Sequence, residues 1–251
     1  MATKIRSKEY QEDDVYTAAK KRINHLYDLF EELVVSFSGG KDSTAMLLTT
    51  IEVARERGQL PVRAVFYDEE AIHPPTIDYV RRVSLMDEVE LEWYCLPIQH
   101  RNACSNKQPY WHPWHPDEED IWVRELPPEA ITEHPRFEPG MSMQEFGLAH
   151  FSQTNICVLQ GIRTQESMRR HRAVSQKKED NYISTGKLQL FKGYKEDGVT
   201  QDNNWVASNF AYPIYDWSSE DVWQLVRMKG ADYNTTYDIF NRTDKYNQLL
   251  S

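Results

Sequence analysis

The chain reads as an α/β protein, a mostly parallel sheet with helices on both faces, and three observations predict this. Apolar strand-like runs at 33–37, 61–67 and 89–96 alternate with amphipathic helical stretches, the order that builds parallel strand–helix–strand units. The first run, Leu33-Val34-Val35-Ser36-Phe37, breaks into Ser38-Gly39-Gly40-Lys41-Asp42-Ser43-Thr44 and continues as a helical pattern. A fourth run, Asn155-Ile156-Cys157-Val158-Leu159-Gln160, is apolar nearly throughout and stops at Gly161, as a strand buried on both faces does. In such sheets ligands sit at the carboxyl ends of the strands.

From about Glu9 to Glu31, Val15, Ala19, Arg22/Ile23, Leu26 and Phe30 fall at three-to-four spacing and predict an amphipathic helix. After the strand at Leu33–Phe37, a helix runs from Ser43 to Arg57, with Gly58 as its left-handed cap. Pro61–Tyr67 reads as the second strand, ending at Asp68-Glu69-Glu70, and a helix from Pro74 to about Met86 leads to the third strand, Val89–Leu96. From about 97 to 140 the pattern dissolves into an insertion rich in Pro, Trp and His, whose large aromatics need a surface to pack on. They read as a cap over the pocket at the carboxyl ends of the strands. A helix follows near Ser142–His150, then the fourth strand. Residues 175–204 read as a long basic polar loop, and the last helix starts at Ser218, where Ser218-x-x-Asp221 is a variant capping box above Val222, Leu225 and Val226. No internal repeat interrupts this order, and residues 1–251 read as one domain carrying the insertion and the loop.

No run of about 18 apolar residues is present and the first residues lack the apolar stretch of a signal peptide, so no membrane partner and a cytoplasmic setting are expected. Cys95, Cys104 and Cys157 are too scattered for a disulfide framework or a Cys-x-x-Cys metal site; Cys95 and Cys157 sit in strand-like runs and read as buried, leaving Cys104 as the one candidate reactive thiol. His112 and His115 stand three apart, but Pro113 and Pro116 exclude a regular helix between them, which disfavours a metal site. The net charge of −10 argues against non-specific coating of nucleic acid. Charge is unevenly spread: between Arg163 and Lys195 nine Lys/Arg face three acids, a balance of +6 that leaves −16 for the rest. Such an island suits a specific anion or a solvated loop.

Ser38–Thr44 carries the chemistry. Two glycines let the backbone approach an anion, and the amides of the loop and of the first helical turn supply donors at the positive end of a helix dipole. Lys41 adds a full charge. The spacing is not Gly-x-x-x-x-Gly-Lys-[Ser/Thr], since Asp42 follows Lys41 and Val35 stands where the first glycine would be.

The loop resembles the PP-loop, Ser-Gly-Gly-x-Asp-Ser, of the ATP pyrophosphatases. Phe66–Glu70 with His73–Val80, then Gly161-Ile162-Arg163-Thr164-Gln165-Glu166-Ser167-Met168-Arg169-Arg170, and Pro213-Ile214-Tyr215-Asp216-Trp217-Ser218-Ser219-Glu220-Asp221-Val222-Trp223 are similar to elements of the ATP sulfurylase and phosphoadenosine phosphosulfate reductase branch. Trp122–Thr132 and Pro139-Gly140-Met141 resemble a subgroup called immunoglobulin-binding regulator A. The resemblance implies an adenine nucleotide alpha hydrolase-like three-layer sandwich and a site for ATP built from Ser36, Ser38, Gly39, Gly40, Lys41, Asp42, Ser43, Thr44, Asp68, Gly161, Arg163, Arg169 and Arg170. Lys41, Asp42 and Arg163 would be its catalytic groups, and Asp42 would hold Mg²⁺ through water. Arg163 would reach the phosphates; Arg169, Arg170 and Arg172 would serve a second anionic group; Asp68 would touch ribose, adenine or metal.

The reductases' Glu-Cys-Gly-x-His motif does not follow Trp223. The expected activity is therefore adenylyl transfer with pyrophosphate release and not cysteine-dependent reduction. Two alternatives stand beside it: a nucleotide- or sulfonucleotide-sensing subunit that acts with a partner protein, and a nucleic-acid-modifying enzyme that docks through 163–195.

Overall fold

The computed structural model describes residues 12–152, 155–166, 182–190 and 204–242. In chain order these form α1 (Val15–Leu29), β1 (Glu32–Ser36), α2 (Lys41–Arg57), β2 (Val62–Tyr67), α3 (Pro74–Ser84), β3 (Val89–Tyr94), β4 (His100–Arg101), β5 (Tyr110–Trp111), α4 (Met143–His150), β6 (Ile156–Gln160), β7 (Ile183–Leu190), β8 (Asn204–Ala211), α5 (Ser219–Lys229) and α6 (Thr236–Arg242). Helix α1 begins at Val15 because the Asp14 carboxylate accepts from the Thr17 amide, which sets the start that periodicity alone placed near Glu9.

Six strands form one sheet in the order β3-β2-β1-β6-β8-β7. All neighbours are parallel except β7 and β8, which pair antiparallel from Ile183↔Ala211 to Leu190↔Asn204. Residues 183–190, read from sequence as part of a polar loop, are thus an edge strand. Its sequence, Ile-Ser-Thr-Gly-Lys-Leu-Gln-Leu, is half polar because an edge strand need not bury both faces. Ser218 does cap a helix with a full capping box to Asp221, and that helix buries Val222, Leu225 and Val226. It is not the last, because α6 follows.

The alternation of side chains along each strand divides the core in two. Leu33, Val35, Ala64, Phe66, Cys157 and Leu159 pack with α1, α2, α3 and α5, while Val34, Val65 and Val158 face Phe146 and Ala149 of α4 on the other side. Helices therefore cover both faces. Strand β1 is central: the chain leaves it toward β2 on one side, and β6 flanks it on the other. The loops after β1 and β6 consequently lie at the point where strand order reverses, where such sheets form their ligand crevice.

The acidic turn after β2 staples the insertion to the sheet. Glu70, held at φ 61, accepts from the amides of Trp114 (2.8 Å) and Val123 (2.9 Å), and the Trp114 indole donates to the Asp68 carbonyl at 3.0 Å. Trp114 is buried, so the insertion does pack its aromatics. It packs them at the end of β2, and no residue of 97–140 lines either of the two cavities at the carboxyl ends of the central strands. The expected cap over the nucleotide pocket is thereby corrected.

Candidate functional site

The loop after β1 turns on Gly39 at φ +70, where a Cβ would stand 2.9 Å from Thr76 Cγ2 of α3. Glycine is required there for conformation and for space. Helix α2 then opens at Lys41, two residues before the start read from the sequence, with Gly40 as N-cap. The Ser38 amide donates to Ser43 Oγ at 3.2 Å, the two serine hydroxyls stand 3.0 Å apart, and Ser43 Oγ donates to the Gly40 carbonyl at 3.0 Å. These bonds hold the loop closed over the helix N-terminus.

The loop after β6 meets it edge-on. A Cβ on Gly161 would lie 2.8 Å from the Asp42 carbonyl carbon and oxygen and from the Ser43 nitrogen, so only glycine allows this backbone contact. Two residues on, Arg163 is buried, with Nε donating to Asp42 Oδ1 at 2.7 Å and Nη2 lying 3.4 Å from Oδ2. The Lys41 ammonium donates to the same Asp42 Oδ2 at 2.8 Å. Asp42 is thus the anion that ties the two loops together.

A mouth of about 450 Å³ is lined by Ser36, Ser38, Gly40, Lys41, Asp42, Ser43, Gln160, Gly161, Ile162, Glu166 and Tyr237. A cavity of about 610 Å³ adjoins it and shares Ser36 and Gln160. This larger space lies between α4 and the sheet, over Val65, Val158 and Phe210 and beside Ser184, Thr185, Lys187 and Tyr212. Beneath it the Tyr67 hydroxyl lies 2.9 Å from His150 Nδ1, and the Tyr94 hydroxyl 3.3 Å from Nε2. Burial, then the charges of His134, Arg63 and Arg136, hold His150 neutral with a pKa down to about 3. Glu92, 3.6 Å from Nε2, already accepts from Arg63 at 2.6 Å and from the Tyr94 hydroxyl at 3.0 Å.

Of the residues anticipated from sequence, Ser36, Ser38, Gly40, Lys41, Asp42, Ser43 and Gly161 converge on the mouth, while Gly39 shapes its turn. Three do not line it. Arg163 is not among the residues lining the mouth and pairs with Asp42, which does line it. The Thr44 hydroxyl bonds back to the Gly40 carbonyl at 2.9 Å inside α2. Asp68 is buried at the end of β2, accepts from the Trp93 indole at 2.8 Å and pairs with Arg124. Asp42, expected to hold Mg²⁺ through water, accepts from Lys41 on Oδ2 and from Arg163 on Oδ1. Among the described residues no group of three or more His, Cys, Asp or Glu is placed to hold a metal. Arg169, Arg170, Arg172 and most of the basic segment lie outside the described residues.

Two residues that the sequence reading missed brace the loop from far along the chain. Asn234 is buried, with Nδ2 donating to the Gly39 carbonyl at 3.0 Å and to Thr76 Oγ1 at 2.8 Å. The Tyr237 hydroxyl accepts from the Lys41 amide at 3.0 Å. The signature 213–223 positions them: Trp223 makes edge-on ring contacts with Tyr233 and Tyr237, and the Asp216 carboxylate accepts from both terminal nitrogens of Arg22 in α1. Gln160 was also missed, although a polar residue closing an otherwise apolar strand was a visible signal.

A strand that ends in Ser-Gly-Gly-Lys-Asp-Ser at the switch point of a mostly parallel sheet, with a helix N-terminus aimed at the mouth, defines a PP-loop protein of adenine nucleotide alpha hydrolase-like fold. Within that class the chain belongs to the phosphoadenosine phosphosulfate reductase domain family, whose sequence profile matches residues 32–240. The uncharacterized protein YbdN of Escherichia coli (strain K12) is 34% identical over 242 residues, covering 90% of this chain and 55% of the relative. The chain therefore spans about half the length of that relative. Among solved structures, Candida glabrata FMN adenylyltransferase is similar at a TM-score of 0.47 and 14% identity, covering 91% of this chain and 62% of that one. Phosphoadenylyl-sulfate reductase from Candida auris is similar at a TM-score of 0.44 and 12% identity, covering 93% and 94%. The family assignment rests on the profile and the relative, not on these distant likenesses.

Proposed function

We propose that this chain binds Mg·ATP with its β- and γ-phosphates on the loop between β1 and α2, and transfers the adenylyl group to an acceptor oxygen. The acceptor oxygen forms a bond to the α-phosphorus as the bond from that phosphorus to the bridging oxygen of the β-phosphate breaks. Pyrophosphate leaves with the Mg²⁺ that entered with ATP, and the acceptor proton passes to solvent. One observation carries the reading: the N-terminus of α2 and the side chains of Ser38, Lys41 and Ser43 converge on one mouth, a set of groups that suits a polyanion. The reaction needs alignment and charge neutralisation, not a side-chain nucleophile.

The thiols support transfer over reduction. Cys95 and Cys157 are buried, and burial pushes the Cys157 thiol up to about 12, which keeps it unreactive. Cys104 is exposed in the insertion and lines neither cavity. A second reading, a nucleotide-sensing subunit acting through a partner, is favoured by the commitment of both Lys41 and Arg163 to Asp42. Nucleotide that recruits Lys41 would redistribute these ion pairs without chemistry.

The test is pyrophosphate release from Mg·ATP with and without sulfate and a small-molecule cell extract, with Lys41→Ala as control. Acceptor-dependent release that the variant lacks is the expected result. ATP that stays bound and intact under every acceptor mixture overturns transfer in favour of sensing.

A further inference from the structure

An oxygen from far along the chain already stands at the phosphate mouth. Lys41 is the first residue of α2, and its amide is one of the donors that a helix N-terminus leaves without an intrahelical partner. The Tyr237 hydroxyl of α6 accepts from that amide at 3.0 Å and lines the mouth. It also stands against the glycine turn, since a Cβ on Gly40 would lie 3.6 Å from it. A phosphate oxygen bound at a helix N-terminus accepts from the same kind of backbone N–H. Tyr237 and a phosphate therefore contend for one donor.

Two further donors of the mouth are held within the loop. Ser43 Oγ accepts from the Ser38 amide at 3.2 Å, and Asp42 Oδ2 accepts from the Lys41 ammonium at 2.8 Å. Tyr237 differs in coming from outside the loop, 196 residues from Lys41, on a helix of seven residues. The start of that helix is anchored. Asn234 is buried, with Nδ2 donating to the Gly39 carbonyl and to Thr76 Oγ1, and its Oδ1 accepts from the Thr236 amide. Thr236 Oγ1 lies 3.3 Å from His73 Nδ1. Past this anchor the ring of Tyr237 rests edge-on against Trp223 at 5.2 Å, and Ile239 is 49% exposed. Helix α6 is thus fixed at one end and reaches the start of α2 through the Tyr237 hydroxyl.

We propose that Tyr237 is a latch that responds to phosphate: its hydroxyl holds the Lys41 amide and keeps α6 docked on the mouth, and a polyphosphate entering the loop displaces it and frees α6 beyond the Asn234 anchor. The proposal rests on the binding of phosphates at the loop between β1 and α2. Because ligand and hydroxyl compete for one N–H, their coupling is negative and works in both directions. Docking of Tyr237 lowers phosphate affinity, and phosphate lowers the population of docked α6, by the same factor. One neutral hydrogen bond sets that factor at roughly five-fold. Occupancy of the mouth is thereby reported on the exposed surface of α6, whatever reaction follows at the α-phosphate.

The test follows hydrogen–deuterium exchange in α6 by rapid quench, with and without saturating pyrophosphate, in the unaltered protein and in Tyr237→Phe, beside a pyrophosphate titration of each. Phenylalanine keeps the ring against Trp223 and removes the hydroxyl alone. Expected is exchange about five-fold faster in α6 when pyrophosphate binds the unaltered protein, and in the variant a fast rate that the ligand no longer changes. A residue that only supported the fold would give no ligand-dependent difference between the two proteins. The latch is overturned if pyrophosphate binds the unaltered protein while exchange in α6 slows or stays the same, or if the variant binds pyrophosphate more weakly. Failure of both pyrophosphate and Mg·ATP to bind either protein would instead remove the phosphate-loop reading, and the latch with it.

Discussion

Asn234→Ala removes a brace from the loop while leaving the loop's own sequence intact. Asn234 is 4% exposed and makes three hydrogen bonds: Nδ2 to the Gly39 carbonyl (3.0 Å), Nδ2 to Thr76 Oγ1 (2.8 Å), and Oδ1 from the Thr236 amide (3.0 Å). At about 1 kcal/mol net for each, the loss of stability is roughly 3 kcal/mol. For a chain of this size each kcal/mol moves the melting temperature by roughly 2–4 °C, giving a fall of roughly 6–12 °C. Gly39 is also the residue whose left-handed turn sets the loop against α3, so pyrophosphate affinity should fall with the melting temperature. Calorimetric melting and a pyrophosphate titration on the same samples read both effects. A melting temperature within about 2 °C of the unaltered protein, where the three bonds imply several times that shift, would refute the bracing role.

Three further outcomes follow from the geometry. Gly161→Ala drives a methyl into the backbone of Asp42 and Ser43, so it should lower stability by about 1–3 kcal/mol and weaken ATP binding in the same titration. Tyr237→Phe frees the Lys41 amide, a bond worth about 1 kcal/mol, so pyrophosphate should bind roughly five-fold tighter; weaker binding would show the hydroxyl to be a ligand group and not a competitor. His150 has a pKa near 6.5 when unfolded and about 3 when folded, so below pH 6.5 the unfolded chain binds a proton that the native state refuses. Its contribution is complete above about pH 7 and is lost as pH falls, by about 2 kcal/mol at pH 5. Denaturant titrations at the two pH values should show that drop, and a smaller one in His150→Gln.

What was legible in the sequence was whatever depends on near neighbours. The loop could be read because five of its residues specify one local geometry, β1 and β6 because strands buried on both faces are apolar along their middles, and β2 and β3 because their apolar positions alternate with helical stretches in the order of strand–helix–strand units. Strand β7 escaped because its exposed positions are polar and its partner β8 lies beyond a stretch outside the described residues. Spacing puts Arg163 near a mouth at the end of β6, while only the fold shows that Asp42 pairs with it. The partners of Asp68 were hidden for the same reason, since Arg124 and the Trp93 indole are distant in sequence. Asn234 and Tyr237 had no local signal, because what they brace lies nearly two hundred residues earlier.

The central claim is that the loop between β1 and α2 holds the phosphates of an adenine nucleotide. Isothermal titration of Mg·ATP into the unaltered protein and into Lys41→Ala tests it most directly. The account predicts a single site in the unaltered protein and at least about ten-fold weaker binding in the variant, the loss of one charge-assisted contact, at an unchanged melting temperature. Equal affinity in the two proteins would contradict it.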